Sequence, residues 1–91
     1  FYIAEKLIDV ARQRGFSDEQ ANTMVKGTLL GAATLLEQSE ATPQELRQAV
    51  TSPGGTTEQA IAVLDEHDLG AIWAEAIDRA VHRAEEMAAS G

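Results

Sequence analysis

Apolar residues recur along this chain with a helical period almost from end to end, and the pattern predicts about five helices. Phe1, Ile3, Ala4, Leu7, Ile8, Val10 and Ala11 form the first stripe, with Glu5, Lys6, Asp9, Arg12 and Arg14 mostly off it. Spacings of three and four residues put side chains on one face of a helix. Gly15 follows the last periodic residue and reads as a C-terminal cap, because glycine takes the left-handed backbone that ends a helix at little cost. The first helix is therefore expected to end near Arg14. Ser17-Asp18-Glu19-Gln20 then has the form of a capping box, with acids suited to the positive end of a helix dipole. The helix it opens should run to about Gln38 or Ser39. Its middle, through Met24, Val25, Thr28, Leu29, Leu30, Gly31, Ala32, Ala33, Leu35 and Leu36, is apolar on most of its circumference and needs cover on most sides. The short neighbouring helices hardly supply that cover, so a second subunit is the expected source. Gly31, Ala32 and Ala33 would let another helix come close. A plain central core helix in a monomer is the alternative.

Thr42-Pro43-Gln44-Glu45 is a second capping box, with Pro at the first helical position, where its missing N–H costs nothing. The short helix it starts should reach about Val50, with Leu46 and Val50 facing one way. Ala60, Ile61, Val63 and Leu64 are the apolar part of a fourth helix, which gives way to the polar run Asp65-Glu66-His67-Asp68. Three acids and a histidine raise the question of a metal, but their spacing at a helix end fits a solvated turn better. The fifth helix should start near Leu69 or Gly70 and run to about Ala88. Trp73, Ile77, Ala80, Ala84 and Met87 alternate by four and three, a seam suited to helix packing. In that seam Trp73 reads as a packing anchor rather than a stacking platform. Glu75 stands four residues before Arg79, the favourable order for an ion pair on a helix. His82 lies among charges and reads as solvated.

The stretch with candidate chemistry is Thr51-Ser52-Pro53-Gly54-Gly55-Thr56-Thr57. Proline stops the preceding helix and drives Ser52 towards an extended backbone. The glycines permit a sharp turn and a close approach of a ligand to the main chain. The next helix presents unpaired N–H groups and the positive end of its dipole. Backbone donors, hydroxyls and a positive dipole end suit a carboxylate or a phosphate. The competing reading of these residues alone is an ordinary helix start with a threonine as N-cap.

Composition narrows the function. Ninety-one residues make one domain, and the formal charge of −8 argues against a nucleic-acid backbone or an anionic membrane as partner. Without cysteine there is no disulfide framework, thiol nucleophile or Cys-based zinc site. No apolar run approaches the roughly 18 residues of a membrane span. No Ser-His-Asp set or poised carboxylate pair is evident. No strand is expected before the Gly-Gly turn, so neither a phosphate loop nor a dinucleotide fingerprint is present. The chain opens on apolar Phe1-Tyr2-Ile3 without an initiator methionine, which gives the expectation of a piece of a longer protein.

The order Leu46-Arg47-Gln48-Ala49-Val50-Thr51-Ser52-Pro53-Gly54-Gly55-Thr56-Thr57, continuing through Ala60-Ile61 to Leu64-Asp65, resembles the signature near the C-terminus of pyrroline-5-carboxylate reductases. Gly31-Ala32-Ala33 and the run Ala80 to Glu86 around Arg83 are similar to that family too, so the resemblance covers essentially the whole chain. It implies an all-α, interleaved dimerisation and substrate-binding domain over residues 1–91. The NAD(P)H-binding Rossmann domain of the family would lie outside this chain. It implies a homodimer, with room for a higher oligomer, and reduction of 1-pyrroline-5-carboxylate to L-proline; the lack of cysteine adds the expectation of a cytoplasmic setting. NADPH and NADH stay open, since that choice would sit in the other domain. Carried over by the resemblance, Ser52 and the backbone at Gly55 and Thr56 would hold the substrate carboxylate, and the Thr57 hydroxyl would sit by the ring nitrogen as the catalytic group. No metal and no cofactor contact is expected on this chain, and the chain alone is expected to be inactive. Glu58-Gln59 departs from the small apolar residues commoner in the family, and His67-Asp68-Leu69 from its glycine-and-aromatic turn. The rival from another class is a non-enzymatic all-helical homodimerisation module.

Overall fold

The computed structural model describes residues 1–90, and the described residues are all-α. Five helices follow one another: α1 (Tyr2–Gln13), α2 (Asp18–Gln38), α3 (Pro43–Ala49), α4 (Thr56–Glu66) and α5 (Leu69–Ser90). The chain divides into two compact units, Phe1–Leu46 and a second that begins at Arg47. No described helix is long and apolar enough to cross a membrane.

In the first unit α1 and α2 pack against each other, and the corner between them is built from caps. Gly15 takes φ +98°. Its N–H donates to the Arg12 carbonyl at 2.9 Å, and the Phe16 N–H donates to the Ala11 carbonyl at 3.2 Å. This is the Schellman pairing, which satisfies carbonyls that a helix end leaves bare. Phe16 and Ala11 line one apolar hollow together with Leu7, Val10 and Met24, the apolar contact that accompanies this motif. Ser17 then caps α2. Its hydroxyl accepts the Gln20 N–H at 3.2 Å, and the Gln20 side chain accepts the Ser17 N–H at 3.0 Å. Arg12 reaches both Asp9 and Asp18, linking the last turn of α1 to the first of α2. Both acids are exposed enough for these pairs to contribute at most about 1 kcal/mol each. Because Gly15 holds a left-handed backbone with open space around its Cα, Gly15→Ala should cost about 1 kcal/mol through backbone strain alone. A urea melt of the two proteins would show it as a lower midpoint at unchanged slope.

The second capping box is also in place. The Thr42 hydroxyl accepts the Glu45 N–H at 3.1 Å, and the Glu45 carboxylate accepts the Thr42 N–H at 3.0 Å. Hydrogen bonding to the carboxylate by the Thr42 backbone N–H, and next by the Thr42 hydroxyl, holds the Glu45 carboxyl below its ordinary range. In the second unit, His67 is the C-cap of α4, and Asp68 takes a left-handed backbone at φ +50°. The Asp68 carboxylate accepts the Ala71 N–H at 3.2 Å and so caps α5. The polar run Asp65 to Asp68 is thus helix-stop and helix-start chemistry. Among the described residues no His/Asp/Glu cluster is placed to hold a metal ion. Glu75 and Arg79 pair at 2.8 Å as their spacing predicts.

Burial is sparse, as the expected second subunit for α2 requires, and sparser on α5 than its seam suggests. Among the described residues Ala21 alone is buried. Trp73, expected as a packing anchor, is 48% exposed, and Ile77 and Met87 of the same seam are exposed with it. The middle of α2 is open as well, through Leu29, Leu30, Leu35 and Leu36. Helical period decides which residues share a stripe; what covers the stripe depends on neighbours that one chain does not supply.

Candidate functional site

The segment between α3 and α4 is a tight turn fixed by its own sequence. Val50 and Thr51 leave α3 through 3.2 Å bonds from their N–H groups to the Arg47 and Gln48 carbonyls. The Thr51 hydroxyl donates back to the Arg47 carbonyl at 2.6 Å. Ser52 to Gly55 then form a four-residue turn, closed by the Gly55 N–H on the Ser52 carbonyl at 2.9 Å. Pro53 presets the first central residue, and Gly54 takes φ +73° at the second. Proline followed by a positive-φ glycine is the type II arrangement. Gly55 needs to be small for a different reason. Its backbone is ordinary, but a Cβ there would meet the Ser52 carbonyl oxygen at 3.1 Å and the Ser52 Cβ at 3.4 Å.

Gly55 is the N-cap of α4, at φ −85° and ψ 177°. This corrects the reading in which a threonine hydroxyl caps the helix. Pro53 and Gly54 use up the turn one residue early, so Thr56 and Thr57 fall inside the first turn of α4. The residue left at the cap has no side chain to offer. The leading N–H groups of α4 therefore meet no hydroxyl of their own cap, as a helix mouth that receives an outside anion requires. Ser52 and Thr56 are exposed, while Gly55 and Thr57 are half-buried. The four candidate residues thus lie within six consecutive positions at one helix start.

The sequence reading did not assign Glu58 a role at this turn. Its carboxylate accepts the Gly54 N–H at 3.1 Å, from the third position of α4. The signal was present in the sequence: an acid three residues past a helix cap regularly reaches back to a free backbone donor. The apolar hollows of about 270 and 280 Å³ lie beside Phe16 and Met24 in the first unit. Neither is lined by Ser52, Gly55, Thr56 or Thr57. No strand precedes the Ser52–Thr57 turn, which follows α3, so the residues present do not make the strand–turn–helix cradle of a dinucleotide.

A family model described as pyrroline-5-carboxylate reductase dimerisation matches residues 1–87. The chain belongs to that family. A pyrroline-5-carboxylate reductase from Vibrio alginolyticus is 41% identical over 88 residues, which cover 96% of this chain and 32% of the relative. One from Pseudomonas aeruginosa is 38% identical over 97% of this chain and 32% of its own length. The structure of a pyrroline-5-carboxylate reductase from Coxiella burnetii superposes with a TM-score of 0.90 at 45% identity, over 94% of this chain and 32% of that one. The Plasmodium falciparum enzyme, solved with NADP bound, gives 0.81 at 26% identity over 85% of this chain and 29% of that one. The pyrroline-5-carboxylate reductase dimerisation domain thus accounts for the all-α architecture, and this chain spans about a third of the length of its reductase relatives.

Proposed function

We propose that this chain is the dimerisation and substrate-binding part of a cytoplasmic NAD(P)H-dependent pyrroline-5-carboxylate reductase, which forms L-proline and acts as a homodimer. The observation that carries the reading is the uncapped start of α4 behind the Ser52–Gly55 turn, in a chain whose relatives carry that reductase name. The substrate has a carboxylate and a C=N bond. The carboxylate belongs at the mouth of α4, on the Gly55 and Thr56 backbone and the Ser52 hydroxyl, where N–H groups and the helix dipole favour negative charge. The family resemblance sets the ring nitrogen beside the Thr57 hydroxyl, one residue further along α4. Reduction adds a hydride to the imine carbon and leaves a proton needed at nitrogen. A reduced nicotinamide bound elsewhere in the full-length protein would supply the hydride.

Thr57 is a weak acid in its own right, so its hydroxyl orients the imine and passes on a proton from water rather than giving up its own for good. The turn is an open ledge on this chain. Its exposed Ser52 and Thr56 need a second surface to exclude water, and the cofactor-bearing domain would provide it. The direct test supplies the full-length protein with 1-pyrroline-5-carboxylate and NADPH or NADH and follows loss of the reduced nicotinamide. Substrate-dependent oxidation is the expected result, and L-proline should compete as a ligand of the same mouth. A folded full-length protein that turns over neither cofactor refutes the reading.

A further inference from the structure

We infer that Glu58 is a positioning residue for the Ser52–Thr57 turn: it fixes the Pro53–Gly54 peptide and sets the charge met by an anion at the mouth of α4. This rests on the reductase reading for its kinetic consequence, though the contact itself stands on geometry. A type II turn differs from a type I turn chiefly by a flip of the peptide joining its two central residues. Here that peptide carries the Gly54 N–H. The turn's own closing bond uses the Gly55 N–H, which is held by the Ser52 carbonyl at 2.9 Å, and so leaves the flip of the neighbouring peptide unopposed. The Glu58 carboxylate accepts the Gly54 N–H at 3.1 Å and opposes it. In a capping box the acid at this helical position reaches the N–H of the cap residue itself. At α4 the cap is Gly55, whose N–H is already engaged, and the acid takes the donor one residue earlier. The result is a brace from the first turn of α4 to the Pro53–Gly54 peptide. It keeps Gly54 at φ +73° and with it the direction in which Gly55 enters the helix.

The same carboxylate has a second effect. It adds a negative charge beside the leading N–H groups of α4, where the substrate carboxylate is to bind. A brace that helps geometry therefore weakens attraction for an anion, and substitution separates the two effects. Glu58→Gln keeps an acceptor for the Gly54 N–H and removes the charge. Glu58→Ala removes both.

The test measures kcat and KM of the full-length protein with 1-pyrroline-5-carboxylate, and amide exchange at Gly54. Glu58→Gln should lower KM about threefold, the scale of one like-charge contact across a wet surface, and the difference should shrink as salt is raised. Its kcat and Gly54 protection should match those of the parent. Glu58→Ala should lose the Gly54 protection and fall about fivefold below Glu58→Gln in kcat/KM, as for one neutral hydrogen bond of about 1 kcal/mol. Parent-like kinetics and exchange in Glu58→Ala overturn the proposal. Parent-like exchange with altered KM in both variants leaves charge without a brace and overturns it too. A full-length protein inactive from the outset sinks the reductase reading and the kinetic role with it, while the exchange comparison still upholds or overturns the brace.

Discussion

Replacing Thr57 with valine in the full-length protein should lower kcat for the proposed reduction about a hundredfold, the lower end of what a positioned proton-transfer group contributes. Valine copies the shape of threonine without its hydroxyl. Thr57 sits in the first turn of α4, one residue beyond Thr56 and two beyond the Gly55 cap, and it is half-buried. The swap therefore leaves turn, helix start and packing in place. What it removes is the hydroxyl proposed to stand beside the imine nitrogen, which would gain a proton as the neighbouring carbon gains hydride. The carboxylate contacts proposed at Gly55 and Thr56 are untouched, so KM should move much less than kcat. That split marks an interaction made in the transition state. Thr57→Ser, which restores a hydroxyl, should recover most of the loss, and the mass in solution should be that of the parent in both variants. Parent-like turnover in Thr57→Val would take Thr57 out of the mechanism and leave the turn as a carboxylate holder only.

The parts legible in the sequence are those whose cause is local. Gly15, the Ser17–Gln20 box and the Thr42–Glu45 box each answer to a helix end a few residues away, and each is found where the residues put it. The Ser52–Gly55 turn was equally readable, because proline and glycine restrict or free the backbone whatever surrounds them. Two caps were decided by competition between neighbours. Thr56 and Thr57 are good caps by type, but the turn before them spends Pro53 and Gly54 and leaves Gly55 at the cap. Asp68 lies exposed in the turn that the acidic run predicts, and its position before Leu69 also makes it the cap of α5. Burial was the least legible. The stripe on α5 was read correctly as a stripe, yet Trp73 on it is half exposed. A stripe states that something packs there and leaves open whether that something belongs to the same chain.

The 91-residue chain should be a dimer at micromolar concentration, and Leu30→Asp should break it. The exposed side chains call for a partner, since Leu30, Leu35, Leu36, Ile72, Trp73, Ile77 and Met87 are all exposed in a protein of the dimerisation family. Leu30 is the sharpest probe. It is 70% exposed and lies nine residues past buried Ala21, half a circumference away on α2, so it is not part of the face that carries Ala21. Within the chain an aspartate there costs little. In a symmetric dimer the leucine is lost from both copies and two charges enter an apolar contact. At about 2 kcal/mol per copy the dissociation constant should rise roughly a thousandfold. Light scattering beside circular dichroism decides between outcomes. A dimeric parent and a monomeric, less helical Leu30→Asp would show that the open face of α2 is closed by a second chain and that the helices depend on it. A monomeric parent with full helicity would mean that one chain tolerates this exposed apolar surface, and that the family's dimer contact needs more of the protein than these residues.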